Sequence, residues 1–311
     1  MSASVMSEGR ERAGLALALA VMGAGWGLTQ PLGKIAVTGG LGPLGMVFWQ
    51  LILSILILGA ICLATGRRLW PRGGAQVAIC LAVALLGTIL PNTASYHAAA
   101  HLPSGVLSVL VSLVPLMAFP MALMLGAERF SFTRLAGLGL GLSGVLLLVV
   151  PEASLPDPAM AVWVPLGLVA PFLYACEGNV VARWGTAGLD PLELLCAASI
   201  LGAGLALPLS LMTGEWVDPR GPWGAPEWAL IGSSLIHAVV YTGYVWIIGR
   251  AGPVFAVQVG YFVTGFGVIW AMLILNETYS PWIWTAMALI VAGMLLVQPR
   301  PKGVLAPSGA V

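Results

Sequence analysis

Charged residues are so sparse in this chain that apolar runs of about 20 residues, the length that spans a bilayer core as a helix, pass between them almost uninterrupted. Ten such runs can be drawn: 13–36, 43–65, 75–98, 104–126, 132–150, 161–183, 191–212, 227–249, 253–275 and 281–298. Only 8% of the residues are charged, whereas a soluble domain carries about 25%. A chain this apolar lacks the polar surface to cover itself in water. The expected fold is therefore an all-α integral membrane protein of ten transmembrane helices, with no room for a separate soluble domain. A net charge of +1 leaves no basic footprint for nucleic acid. Cys62, Cys80, Cys176 and Cys196 fall inside apolar runs without metal-ligand spacing and read as packing residues.

Arg10 and Arg12 precede a long apolar stretch, as in a signal peptide. The stretch continues past Ile35, longer than a signal core, and has no convincing cleavage site, so it is expected to stay as the first span. Pro43, Pro103, Pro191, Pro253 and Pro281 stand at or near helix starts, where a missing N–H costs little. Pro31, Pro91, Pro115, Pro120, Pro171 and Pro208 fall within spans, where neighbouring helices or a wet cavity must satisfy the freed backbone.

The basic residues orient the map. With the N-terminus inside, Arg10, Arg12, Arg67, Arg68, Arg72, Arg129, Arg134, Arg183, Arg250, Arg300 and Lys302 face the cytoplasm, and only Lys34 and Arg220 face outward. The opposite orientation would violate the positive-inside bias. The outer loops instead carry Glu152, Asp157, Glu215, Asp218, Glu227 and Glu277. Both termini are thus expected in the cytoplasm.

One phrase is written twice. ALMLGAERFS runs from Ala122 to Ser131 and AMLILNETYS from Ala271 to Ser280, which sets Glu128 and Glu277 149 positions apart. The same offset pairs Lys34 with Arg183, Gln30 with Asn179, Asn92 with Tyr241, Val114 with Val263 and Gly144 with Gly293. The halves, 1–150 and 151–311, hold five spans each. Five is odd, so the second half crosses the membrane upside down relative to the first. Inverted repeats provide two related states around a midplane site, the arrangement of alternating access. Duplication for bundle stability alone is the other reading.

Residues Trp26-Gly27, Lys34, Leu125 to Ser131, Gly137 to Gly144, Asn276 to Tyr279 and Gly293 together resemble the ten-helix, EamA-type branch of the drug/metabolite transporter superfamily. The resemblance covers nearly the whole chain and rests on the ordered set of motifs. It implies a bacterial inner-membrane carrier, often an exporter of amino acids or related metabolites. It also implies a central cavity lined by spans 1, 3, 4, 6, 8 and 9, with spans 5 and 10 outside. The chain departs from the pattern at Gln50, where many relatives carry an arginine.

Glu177 is the only acidic residue deep in a span. A carboxylate there is costly and is by default a functional candidate: it couples a proton, binds a cation or partners a polar group on another helix. His237, Tyr241 and Tyr244 share one helical face; a cavity role and an internal hydrogen-bonded histidine are both open. Asn92 follows the helix-breaking Pro91, with Tyr96 one turn on. Gln30, Asn179, Ser108, Ser112, Gln258, Tyr261 and Thr264 supply further polar groups, as ligand contacts or as glue between helices. Trp26, Tyr174, Phe262 and Trp270 could form aromatic walls, including a face for an ammonium group. Trp70, Trp163, Trp223, Trp228, Trp282 and Trp284 lie at span ends and read as interfacial anchors. Lys34 and Arg183 are expected to snorkel, and Glu128 and Glu277 to fix helix ends or to gate. His97 and His101 alone make no metal site. The glycines from Gly137 to Gly144 read as helix packing or a dimer face, for a monomer or homodimer.

The substrate is expected to be a small molecule taken from or delivered to water across the lipid bilayer, with proton coupling at Glu177 and no cofactor. No Walker A motif appears, so the energy must come from the substrate or an ion gradient. A membrane enzyme finds no support: no H-E-x-x-H or G-x-S-x-G occurs, and Asp157, Asp190 and Asp218 lie in loops or at span edges. A lipid or lipid-linked sugar flippase and a metabolite importer remain as alternatives on the same scaffold.

Overall fold

The computed structural model describes residues 3–149, 155–251, 256 and 258–297. The expected helix start at Pro253, the loop carboxylate Glu152, and Arg300 and Lys302 lie outside the described residues. The described regular structure is entirely helical. Helix α1 (Ala3–Thr38) and α2 (Pro43–Ala64) form the first two spans. The third is α3 (Gly74–Ala84) continued through a π-helical turn, Leu85–Ile89, into α4 (Leu90–Ala99). The fourth is α5 (Ser104–Val111) and α6 (Val114–Met124), and the fifth is α7 (Phe132–Val149). The second half holds α8 (Val164–Trp184), α9 (Pro191–Met212), α10 (Ala225–Ala251), α11 (Val259–Leu275) and α12 (Pro281–Val297). Six of these rods are long and apolar enough to cross a membrane, and α7, α11 and α12 are shorter apolar helices.

Proline explains the two broken rods. Pro91 has no N–H to give to the carbonyl of Gly87 and its ring crowds that carbonyl; the chain widens there into the π turn. Pro115 does the same toward Val111, and α5 ends at that residue before α6 begins. Elsewhere prolines start helices. Pro43, Pro191 and Pro281 each occupy a first turn. At α9 the start is fixed further by a capping box of Asp190 and Glu193.

Packing follows the offset of 149. The rod α1 lies against α10 and α11, and its counterpart α8 lies against α4 and α6. The contact of α2 with α10 repeats as that of α9 with α3. Three pairs map onto themselves: α2 with α9, α5 with α11, and α7 with α12. The first span of each half thus docks on the other half, and the two halves interlock. Pseudo-equivalent Gly144 and Gly293 both lie at the α7–α12 seam. A methyl added at Gly293 would sit 2.6 Å from the carbonyl oxygen of Gly137, and one at Gly144 would sit 2.9 Å from that of Ala286. Only glycine lets these backbones approach so closely. The glycine run is therefore committed to packing within the chain at Gly137 and Gly144, while Gly139 faces open space.

Candidate functional site

A cavity of about 410 Å³ lies between the halves. Its lining comes from α1, α2, α3 with its π turn and α4, α5 and α6, α8, α9, α10 and α11; no described residue of α7 or α12 lines it. The resemblance implied six lining spans. The second and seventh join them because α2 and α9 pack on each other and bring Gln50, Ser54, Leu195 and Ser199 to the cavity wall.

A chain of hydrogen bonds crosses the first half of the site. The Tyr174 hydroxyl donates to Asn92 Oδ1 at 2.6 Å, and Asn92 Nδ2 donates to Gln50 Oε1 at 3.1 Å. The Tyr96 hydroxyl donates to the same Gln50 oxygen at 3.2 Å. Gln50 and Asn92 are buried, so each bond also offsets the cost of taking an amide out of water. Gln50 is the residue that the sequence left without a role. It ties α2 to α4, and through Asn92 to α8.

An aromatic group faces it from α1 and α10. Trp26 Nε1 donates to His237 Nδ1 at 3.3 Å, so the histidine accepts at that nitrogen and its ring is neutral. The Trp26 ring lies 5.3 Å from that of Tyr244 and 6.0 Å from that of Tyr241, in tilted and edge-on arrangements. The predicted spacing of His237, Tyr241 and Tyr244 on one face brings all three to the cavity. Gln30 and Ser112 line it as well.

Glu177 reaches the cavity from α8 across the π turn. A methyl added to Gly87 would sit 2.5–2.7 Å from the atoms of its carboxylate group. The carboxylate is thus held against bare backbone, and it has no hydrogen-bond or ion-pair partner among the described residues. Among the described residues, no Lys, Arg or Asp lines the cavity.

Three predicted contacts lie elsewhere. Asn179 spends its amide on the carbonyls of Ala118 (3.1 Å) and Ala175 (2.9 Å), joining α8 to α6. It and Tyr261 line a second cavity of about 270 Å³. Gln258 precedes α11 as its cap and is absent from both linings. Of the other aromatics, Trp270 donates to the carbonyl of Ala24 at 3.0 Å and Phe262 packs against Gly23; neither lines the main cavity. Among the expected anchors, Trp163 stacks on His101 at 3.7 Å between ring centroids. His97 instead meets Glu215 at 3.5 Å.

At the end of the bundle that carries Thr38, the structure corrects one expectation. Lys34 does not snorkel. Its ammonium donates to the carbonyl of Leu102 at 2.5 Å and lies 3.6 Å from Glu277. Glu277 also accepts from the N–H groups of Ser104 (2.8 Å) and Gly105 (3.2 Å), capping α5, and from the hydroxyl of Tyr279 (2.5 Å). Asn276 makes this possible: it takes the left-handed conformation, φ 53°, which ends α11 and turns the chain.

Comparison with known proteins gives the same architecture. A solved crystal structure matches with a TM-score of 0.63 at 18% sequence identity, covering 91% of this chain and 96% of that one, and so shares the fold. No curated protein matches. The family model described as "EamA-like transporter family" matches residues 13–150 and again residues 161–298.

Proposed function

The chain belongs to the EamA-like transporter family, and from that premise we propose that it is a secondary carrier exporting small polar metabolites, amino acids and their relatives among them, by alternating access. It is a multi-pass, all-α membrane protein of two inverted five-helix repeats. Residues 1–150 and 151–311 are the two halves, and the membrane is the bacterial inner membrane with both termini cytoplasmic. The observation that carries the reading is the cavity itself: it lies where the two halves meet, polar groups from both halves line it, and the two self-paired outer helices stay clear of it.

In this reading Trp26, Gln30, Asn92, Tyr96, Ser112, Tyr174, His237, Tyr241 and Tyr244 contact the substrate. Gln50 joins them as the acceptor that orients Asn92 and Tyr96. Glu177 exchanges a proton or a cation as the cavity faces each side in turn. Untargeted metabolite profiling of the medium tests the export. Cells overexpressing the native chain should enrich one metabolite class outside, and cells expressing Glu177→Gln at equal membrane abundance should not. Media identical to an empty-vector control would overturn the export reading.

A further inference from the structure

We infer that this cavity recognises its substrate through a cationic nitrogen, an amine or quaternary ammonium without a free carboxylate, bound between Glu177 and the aromatic group around Trp26. The inference rests on the transport reading above and narrows its substrate class.

Three features of the cavity carry it. First, among the described residues Glu177 is the only Asp, Glu, Lys or Arg that lines the cavity. Its carboxyl group has no hydrogen-bond or ion-pair partner among the described residues, so the cavity presents one acidic group left free to meet a ligand. A buried charge without a partner is expensive, and a cationic ligand is the group that would relieve it. Second, the electron-rich rings of Trp26, Tyr241 and Tyr244 line the same cavity. Such rings attract ammonium groups by their quadrupoles, the more so when the site is dry. Tyr174, from the same helix as Glu177, adds a ring on the carboxylate's side. Third, the cavity offers a substrate carboxylate nothing cationic. No Lys or Arg among the described residues lines it, and His237 accepts the Trp26 N–H at Nδ1 as a neutral ring does. A zwitterionic amino acid would satisfy Glu177 at one end and leave its own carboxylate desolvated at the other.

The π turn supplies the positioning. Because Gly87 has no side chain, the Glu177 carboxylate rests against the turn and is held in place from that side. Gly87→Ala should displace it without changing any charge.

The test uses the full chain in proteoliposomes and two probes of matched body: N,N,N-trimethyl-2-phenylethylammonium, a fixed cation, and phenylalanine, a zwitterion. Counterflow of each labelled probe is measured, alongside counterflow of an unlabelled bacterial metabolite extract read by mass spectrometry. The expected result is saturable flux of the cation, with phenylalanine slower by about tenfold or more, because its carboxylate is taken out of water without a partner. Glu177→Gln should abolish cation flux, and Gly87→Ala should raise its half-saturation concentration. Elution behaviour and thermal stability of each variant separate a lost site from a lost fold, and the two-probe comparison on the native chain needs no variant. Equal flux of phenylalanine, cation flux unchanged in a folded Glu177→Gln, or movement only of zwitterions and neutral solutes from the extract would overturn the cation site while leaving transport standing. Flux of nothing at all would overturn the transport reading with it.

Discussion

Two glutamates that occupy the same place in the two repeats keep different company. Glu277 gathers the Lys34 ammonium, the first N–H groups of α5 and the hydroxyl of Tyr279, and so binds α1, α5 and the turn after α11 into one knot. Glu128, its counterpart, pairs among the described residues with Arg134 at 2.8 Å, a residue six positions on. Arg183, the counterpart of Lys34, lies over the Trp184 ring at 6.0 Å and makes no ion pair among the described residues. The two ends differ in space as well. The second cavity shares Val114, Pro115 and Gly260 with the main one and extends to Glu128 and Arg134. One end is tied across three elements; at the other, cavity volume reaches the pseudo-equivalent residues. Sequence symmetry therefore does not mean simultaneous contact. The charged pair of the knot is written in both halves, Lys34 with Glu277 and Arg183 with Glu128, and among the described residues the structure joins only the first.

The largest effect is expected from cutting the knot that is made. Glu277→Gln removes the charge that four donors share, and transport should fall by about tenfold or more, since hydrogen bonds to a charged acceptor are worth roughly 1.5–3 kcal/mol each. Initial rates in proteoliposomes check this; a native rate would show that the knot is only structural decoration of that end. Lys34→Met should cost less, because the α5 cap survives. The two changes together should fall short of their sum, with a coupling of about 0.5–3 kcal/mol in a double-mutant cycle on thermal stability. Strict additivity would mean that the 3.6 Å pair carries no energy.

A smaller effect separates the moving parts from the fixed seam. Gly293→Ala should lower stability by about 1–3 kcal/mol by forcing α7 from α12, whereas Gly139→Ala, with open space at its Cβ position, should leave the melting temperature unchanged. Equal effects would remove the seam as a scaffold. The smallest effect is expected at the exposed pair of Asp218 and Arg220. The Arg220 hydrogen bonds hold the Asp218 carboxyl down at about 2, from an ordinary 3.8. A carboxyl depressed on folding stabilises above its unfolded value and loses that contribution only as pH falls through its folded one. Asp218→Asn should therefore leave the pH profile of transport unaltered between about pH 5 and pH 9, and a changed profile would give this loop a part in coupling.

Much of the scaffold was legible in the chain. Hydrophobic length, proline at helix starts and the charge split marked the spans, since each follows from local rules of lipid and backbone. The offset of 149 marked the two repeats, and the packing of the helices follows it. What escaped were contacts set by helix rotation and by reach between helices. Lys34 read as a residue bound for the interface; only the fold brings the Leu102 carbonyl and Glu277 within its length. Gln50 read as a departure from a pattern, but Asn92 and Tyr96 approach it from 42 and 46 residues away. Gln30 and Asn179 read as twins, and Asn179 spends its amide on backbone because the carbonyl of Ala118 lies beside it. An apolar helix in lipid carries little sign of which side faces a cavity, so one polar residue can serve either face.

The widened turn at Leu85–Ile89 has a consequence for how such a site changes over time. An α-helix repeats every 3.6 residues, so one residue inserted into a turn rotates all that follows by about 100°. The direction in which Asn92 and Tyr96 point, and with it the partnership with Gln50, is thus governed by chain length upstream rather than by their own identity. Loss of a single codon there would reorient both side chains without substituting either. A lineage can retune what this wall recognises by insertion and deletion, a kind of variation that comparison by substitution alone would miss.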